Sequence, residues 1–206
     1  MKTPSKTKIV ALTAPLAALA VSNVHGAFDA FLKIEGVEGE STRDGHEGEI
    51  EILSFSWGVS NPNAIDTISG TGGGGGKVNV QDFKIGKRID KSSPQLFRSA
   101  VVADHFLDDD DDGDGVPTRL MMTYTPDGSD ASVEVLSMEL NNLVISELHA
   151  EWRKSSGDET PMETVSFTFG QVRVNYSEMN ADGDYTGLNP DRAIVIDNPA
   201  LEDDED

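Results

Sequence analysis

Residues 76–106, GKVNVQDFKIGKRIDKSSPQLFRSAVVADHF, read as one long bent strand that runs into one short amphipathic helix. Val78 and Val80 point to one face under the two-residue period of a strand. Phe83, Ile85 and Ile89 keep the period in the opposite phase, so an extra residue, a β-bulge, is expected near Gln81 and Asp82. Past Asp90 the pattern changes. Ser93 is a good N-cap, and Pro94 at the first helical position gives up no needed N–H. Leu96, Phe97, Ala100, Val101 and Phe106 then fall near one helical stripe. No other segment is as clearly helical, so this helix is expected to cover an open end or face of a β structure.

The neighbouring segments supply that structure. Residues 27–35, AFDAFLKIE, alternate with Phe31 prominent and form the first expected strand. Residues 49–59, EIEILSFSWGV, form the second. Leu53, Phe55, Trp57 and Val59 share a face, while Ile50 and Ile52 are out of phase with them, which implies a bend. Residues 118–125, TRLMMTYT, make a strand followed by a Pro126-Asp127-Gly128 turn. Residues 132–152 fit either a helix stripe of Leu136, Leu140, Leu143 and Leu148 or two strands broken near Asn141-Asn142. β-Branched content and the Asn-Asn break favour two strands. Residues 164–176 alternate as Val165, Phe167, Phe169, then Val172, Val174, Tyr176, with the phase flipping at Gly170. Three long strands, each with one phase change, are what a strongly coiled sheet needs to curl up on itself. The expected fold is mainly β, a small antiparallel β-barrel with one short flanking α-helix.

Composition limits the partners. The chain has 206 residues, 37 acids against 16 Lys and Arg, and a formal net charge of −21. Such a polyanion repels nucleic acid and anionic lipid, so neither is expected as a partner. No stretch is long and apolar enough for a mature transmembrane helix. There are no cysteines, which removes disulfides, thiolate catalysis and cysteine-ligated metals. The run from Gly72 to Gly76 is followed by Lys77 and a strand, not by the Lys-Ser/Thr and helix of a phosphate loop, so it reads as a linker.

Three regions frame the domain. Residues 1–26 carry Lys2, Lys6 and Lys8, an apolar run from Ile9 to Val21, and a Val24-His25-Gly26 site before Ala27. That order is the pattern of a secretory signal peptide, with an uncleaved amphipathic start as the alternative. Residues 27–177 are the β domain. Residues 178–206 look irregular and end in an acidic tail. Within the domain, residues 108–114 read DDDDDGD. Asp110, Asp112 and Asp114, with Gly115, match the start of a calcium loop, but Met121 stands where the bidentate Glu belongs. The competing reading is a solvated acidic insertion. Asn180, Asp182 and Asp184 form a weaker cluster of the same kind, with Tyr185 at the sixth position.

Several segments together resemble the haemolysin-coregulated protein (Hcp) family, the tube protein of type VI secretion systems. They are Phe31-Leu32-Lys33-Ile34 with Gly36 and Gly39-Glu40-Ser41, then Ile52-Leu53-Ser54-Phe55-Ser56-Trp57-Gly58-Val59. Gly76-Lys77-Val78, Gln81-Asp82-Phe83 and Asp90-Lys91-Ser92-Ser93-Pro94 follow. Leu140-Asn141-Asn142-Leu143-Val144-Ile145-Ser146 and Glu163-Thr164-Val165-Ser166-Phe167 complete the order. The resemblance implies a compact antiparallel barrel with a short helix, and copies that associate into six-membered rings. It implies that rings stack into a hollow tube carrying effectors, with the loop from Gly36 to Gly48 touching the next ring. The signal-like leader opens a second reading: a Sec-exported relative of the fold, acting as an extracellular or periplasmic assembly or binding module stabilised by calcium. On either reading the protein is secreted.

No catalytic signature is present. His46, His105 and His149 are the histidines beyond the leader, and no nucleophile–base motif surrounds any of them. His46 reads as a solvated loop residue or a stacking contact, and His105 as a cation at the helix end, where the macrodipole favours it. No enzymatic role and no resident cofactor are expected.

Overall fold

Val, Ile, Leu and Phe in two-residue alternation put one face of each strand against a common core, and the chain answers with two antiparallel sheets. The structure is a computed structural model, and it describes residues 26–61, 78–106, 118–126, 129–151 and 161–198. The strands are β1 (Ala27–Lys33), β2 (Ile50–Ile52), β3 (Ser54–Ser60), β4 (Asn79–Arg88), β5 (His105–Phe106) and β6 (Thr118–Thr125). They continue with β7 (Val133–Asn141), β8 (Leu143–Glu151), β9 (Met162–Thr168), β10 (Gln171–Tyr176) and β11 (Ile194–Asp197). The one α-helix among the described residues, α1, spans Ser93–Val102. One sheet has the order β11-β10-β7-β6-β1-β2 and the other β3-β4-β9-β8-β5.

Three strand pairs are single ribbons that leave one sheet and enter the other. β2 passes into β3 at Leu53, whose N–H donates to the Gly86 carbonyl at 2.8 Å. β7 passes into β8 at Asn142, which takes a left-handed φ of 54°. β9 passes into β10 at Phe169 and Gly170, and the Gly170 N–H donates back to the Asn141 carbonyl at 3.0 Å. These corners are the phase changes expected near Ile52–Leu53, at Asn141-Asn142 and at Gly170. The bulge near Gln81 and Asp82 is also present. Ser56 pairs with Lys84 but Gly58 pairs with Gln81, so β4 holds the extra residue. The mainly β fold with its flanking helix is therefore the observed one.

The core lies between the sheets. Leu32, Ile50, Ile85, Leu120, Leu140 and Val165 are among its fully enclosed members. Phe83 and Phe167 are cross-strand partners with ring centroids 6.5 Å apart. Burying one such side chain stabilises the fold by about 1.5–3 kcal/mol. Leu96 of α1 joins the same cluster, so the helix closes the side of the core next to β8.

The helix departs from expectation in two ways. Its N-cap residue is Ser92, not Ser93, and no side chain caps the first N–H groups. Ser93 is turned inward instead. Of the expected stripe, Leu96 is enclosed and Ala100 half-buried, but Phe97 and Val101 face solvent. The inward face is completed by Ser99. His105 does not end the helix. Ala103 does so in a left-handed conformation, and His105 begins the short strand β5 against β8. On β3, Phe55 packs on the core while Trp57 and Val59 stay exposed. Residues 178–198 are also less irregular than their sequence reads, because β11 adds an edge strand to β10.

Candidate functional site

The loop between β1 and β2, from Gly36 to Gly48, is held as a folded arm. The Gly39 N–H donates to the Gly48 carbonyl at 2.8 Å, Gly48 N–H to Ser41 at 2.9 Å, and Ser41 N–H to Glu49 at 3.1 Å. Two glycines make this possible. A Cβ on Gly39 would stand 2.2 Å from the Glu49 carbonyl oxygen, and Gly48 holds a φ of 75° that L side chains rarely adopt.

The arm turns back over the outer face of the six-stranded sheet. Leu32 and Ile34 belong to the core, so alternation sends Phe31 the other way, yet Phe31 is enclosed. His46 covers it. The two rings stack with centroids 4.3 Å apart and 6° between planes. His46 Nδ1 is 2.8 Å from Glu49 Oε2, and both side chains are buried. The expected solvated loop histidine is thus the arm's inner anchor. At the tip, the Arg43 guanidinium donates to Asp29 Oδ2 at 2.5 Å and Thr125 Oγ1 at 3.1 Å. At the base, the Lys91 N–H donates to Glu40 Oε1 at 3.0 Å, and Gln95 Nε2 to the Gly36 carbonyl at 2.8 Å. The first turn of α1 and the base of the arm are therefore one unit. Thr42, Arg43, Asp44, Gly45 and Glu47 remain exposed. A recess of about 550 Å³ lies beside the arm, with Asp29, Arg43, Glu51, Arg88 and Asp130 on its walls.

A buried polar node supports the same helix start. Lys87 lies on the inward face of β4 in phase with Phe83 and Ile85, and it is fully enclosed. Its Nζ donates to Glu163 Oε1 at 2.7 Å, Asp90 Oδ1 at 2.8 Å and the Arg88 carbonyl at 2.8 Å. An ammonium has three protons, and these acceptors use all of them. Ser93 Oγ donates to Glu163 Oε1 at 2.7 Å and accepts the Asp90 N–H at 3.0 Å. Burial pushes the Asp90 carboxyl up, but hydrogen bonds from Lys87 and Ser92, with the ammonium charge, outweigh it and hold the pKa below its ordinary value. Sequence reading missed this node. Its signal was a lysine in an inward slot of β4 and a glutamate two residues before Val165, whose pairing needs the three-dimensional register.

None of these groups is placed for chemistry on a substrate. His46 is sandwiched by Phe31 and Glu49, and Lys87 is saturated and closed to water. His149 lies exposed on β8, 4.0 Å from Glu151, and His105 Nδ1 is 3.4 Å from Asn142 Oδ1. Asp110, Asp112 and Asp114 lie outside the described residues, as do the leader up to residue 25 and the tail from 199. In the weaker cluster, Asn180 Oδ1 accepts the N–H groups of Asp182 and Asp184, each at 2.9 Å. Among the described residues, no group of three or more acids and histidines is arranged to hold a metal ion.

Comparison with known proteins points the same way. Residues 31–176 match the family described as type VI secretion system effector, Hcp. Protein hcp1 of Pseudomonas aeruginosa is 35% identical over 157 residues, which cover 76% of this chain and 88% of that protein. The crystal structure of Hcp1 from Salmonella typhimurium aligns with a TM-score of 0.57 and 25% identity, over 83% of this chain and 95% of that one. A structure described as a type six secretion system protein aligns with a TM-score of 0.62 and 26% identity, over 79% and 92%. A matched segment that runs from β1 through β10 takes in the arm, both sheets, the helix and the Lys87 node, and on that footing the chain belongs to the Hcp family of type VI secretion proteins.

Proposed function

We propose that this chain is a structural subunit of a secretion tube. Six copies close into a ring, rings stack through the arm from Gly36 to Gly48, and the channel carries or accompanies effectors out of the cell. The observation that carries the reading is the arm itself. It is a loop with an exposed rim and a rigid inner anchor, and its base is tied to the helix by Glu40, Lys91 and Gln95. A contact element held in one shape loses little conformational freedom on docking. The role is assembly, not catalysis. We assign residues 27–177 to the tube domain, residues 1–26 to an export leader and residues 178–206 to a C-terminal extension, and the mature chain to the outside of the cell.

Light scattering and negative-stain microscopy of the purified chain test this together. The expected result is six-subunit particles that appear as rings and, at high concentration, as short columns. A single monomeric species at every concentration overturns it.

A further inference from the structure

A groove of about 370 Å³ opens between the edge strands β3 and β11. Trp57, Val59 and Val80 line it from β3 and β4, and Phe169, Val172 and Ile196 from the other sheet's side. Val59 is 66% exposed and Trp57 41%. Scattered apolar residues are ordinary on a protein surface, but a continuous apolar cleft with a tryptophan in its wall marks a place where something packs. The chain itself leaves its last strand here. Ile196 and Asp197 of β11 line the groove, and Asn198 follows them. Asn198 is buried and pinned at the corner between β9 and β10. Its N–H donates to the Gly170 carbonyl at 2.7 Å and its Nδ2 to the Phe169 carbonyl at 2.8 Å. Residues 199–206, which continue from that anchor, read PALEDDED. The apolar residues Pro199, Ala200 and Leu201 come first, and only acids come after them.

We propose that residues 199–201 turn back into the β3–β11 groove of their own chain in the free subunit, with Leu201 against Trp57, and that residues 202–206 stay in water at its mouth. Reach favours this occupant. Three residues extend at most about 10 Å from the pinned Asn198, so Leu201 is held close to the groove. A tether that short gives an effective concentration of the order of millimolar, which an untethered segment rarely matches. Pro199 adds to the advantage, because its fixed φ leaves less freedom to lose on seating. Charge works in the same direction. Asp197 stands at the groove margin, and an acidic segment from another molecule must approach a chain of net charge −21, whereas this segment is already there. The break in character after Leu201 sets the depth of the seat, since carboxylates gain nothing from an apolar cleft and remain hydrated. The seated segment closes the groove to other apolar chains, and a competitor takes the groove only by displacing Leu201. This seat is a property of one chain and does not depend on the tube-subunit reading above.

The test uses the full chain at concentrations where light scattering shows a monomer. The sequence has no cysteine and two tryptophans, Trp57 and Trp152, so Leu201→Cys gives a single labelling site. Bimane attached there is apolar like the leucine it replaces, and a tryptophan in contact with it quenches its fluorescence. The label is expected to brighten at least twofold when Trp57→Phe is added and to stay unchanged when Trp152→Phe is added. Without a label, and with Trp152→Phe so that Trp57 alone emits, Leu201→Asp should shift the emission to the red and raise quenching by acrylamide. Circular dichroism checks that every variant is folded. Equal brightness with and without Trp57, or an emission that Leu201→Asp leaves unmoved, overturns the proposal. Quenching that fades on dilution means that the segment of another copy fills the groove, and it overturns the seat within one chain as well. The presence or absence of rings in microscopy bears on the tube reading and leaves this result as it stands.

Discussion

Lys87 and Glu163 face each other as direct partners across β4 and β9, 2.7 Å apart, with neither side chain open to water. Removing one member of such a pair strands the other charge in the core, at about 3–5 kcal/mol. Glu163→Ala and Lys87→Met are each expected to lose stability of that order in urea unfolding at fixed protein concentration. Lys87→Met combined with Glu163→Leu, which leaves no charge unpaired, should lose less than either single change. Additive losses would show that the pair is not coupled.

The lowered pKa of Asp90 gives the fold an acid-sensitive element. A carboxyl whose folded pKa lies below its unfolded value binds fewer protons when folded, so it stabilises above the unfolded pKa. That contribution disappears as the pH falls through the ordinary aspartate value of about 3.9 and then through the lower folded one. Wild type should be more stable than Asp90→Asn at neutral pH, and the gap should narrow as the pH drops from about 5 to 2. A gap constant across that range would contradict the ion pair with Lys87.

Anchoring of the arm predicts a split between His46→Ala and Glu49→Gln. The first removes the ring over Phe31 and leaves a buried carboxylate without its partner, a loss of about 1–3 kcal/mol. The second keeps shape and a hydrogen-bonding group and should lose less. His46→Ala is also expected to shorten columns more than it disperses rings, visible by counting stacked rings in negative stain.

Gly39→Ala places a methyl group against the Glu49 main chain, where no rotamer change can make room. Overpacking of this kind destabilises by about 1–3 kcal/mol. Gly45→Ala meets nothing within 4 Å and suffers only from its φ of 80°, so its thermal unfolding should shift less.

Cleavage of the leader is expected to leave exported material that starts at Ala27. N-terminal sequencing of protein recovered outside the cell checks this, and an intact Met1 there would point to export through the contractile route alone.

Features written in local periodicity were legible in the sequence. The phase switch between Val80 and Phe83, the break at Asn141-Asn142 and the flip at Gly170 all became a bulge or a corner, because each is fixed by which side chains face the core. That residues 36–48 form a long loop and not a tight hairpin was also readable from their glycines. What buries His46 was not, since it depends on the arm folding back onto Phe31. Lys87 broke the apolar rule inside a core strand, and only the register with β9 reveals the glutamate that permits it. Phe97, Val101, Trp57 and Val59 were correctly apolar in pattern, but periodicity tells which residues share a face and not whether this chain covers it. β11 was missed because Ile194-Val195-Ile196 is a short run without alternation, exposed on both sides.

The ribbons that cross at Leu53, Asn142 and Gly170 bear on how the protein takes mechanical load. A two-layer protein held only by side-chain contacts can slide along its midplane when pushed. Here covalent main chain stitches the layers at three points, so a thrust on one wall passes into the other without shearing the apolar interior. A chain with no cysteine, and so no disulfide to brace its two layers, gains stiffness from that stitching.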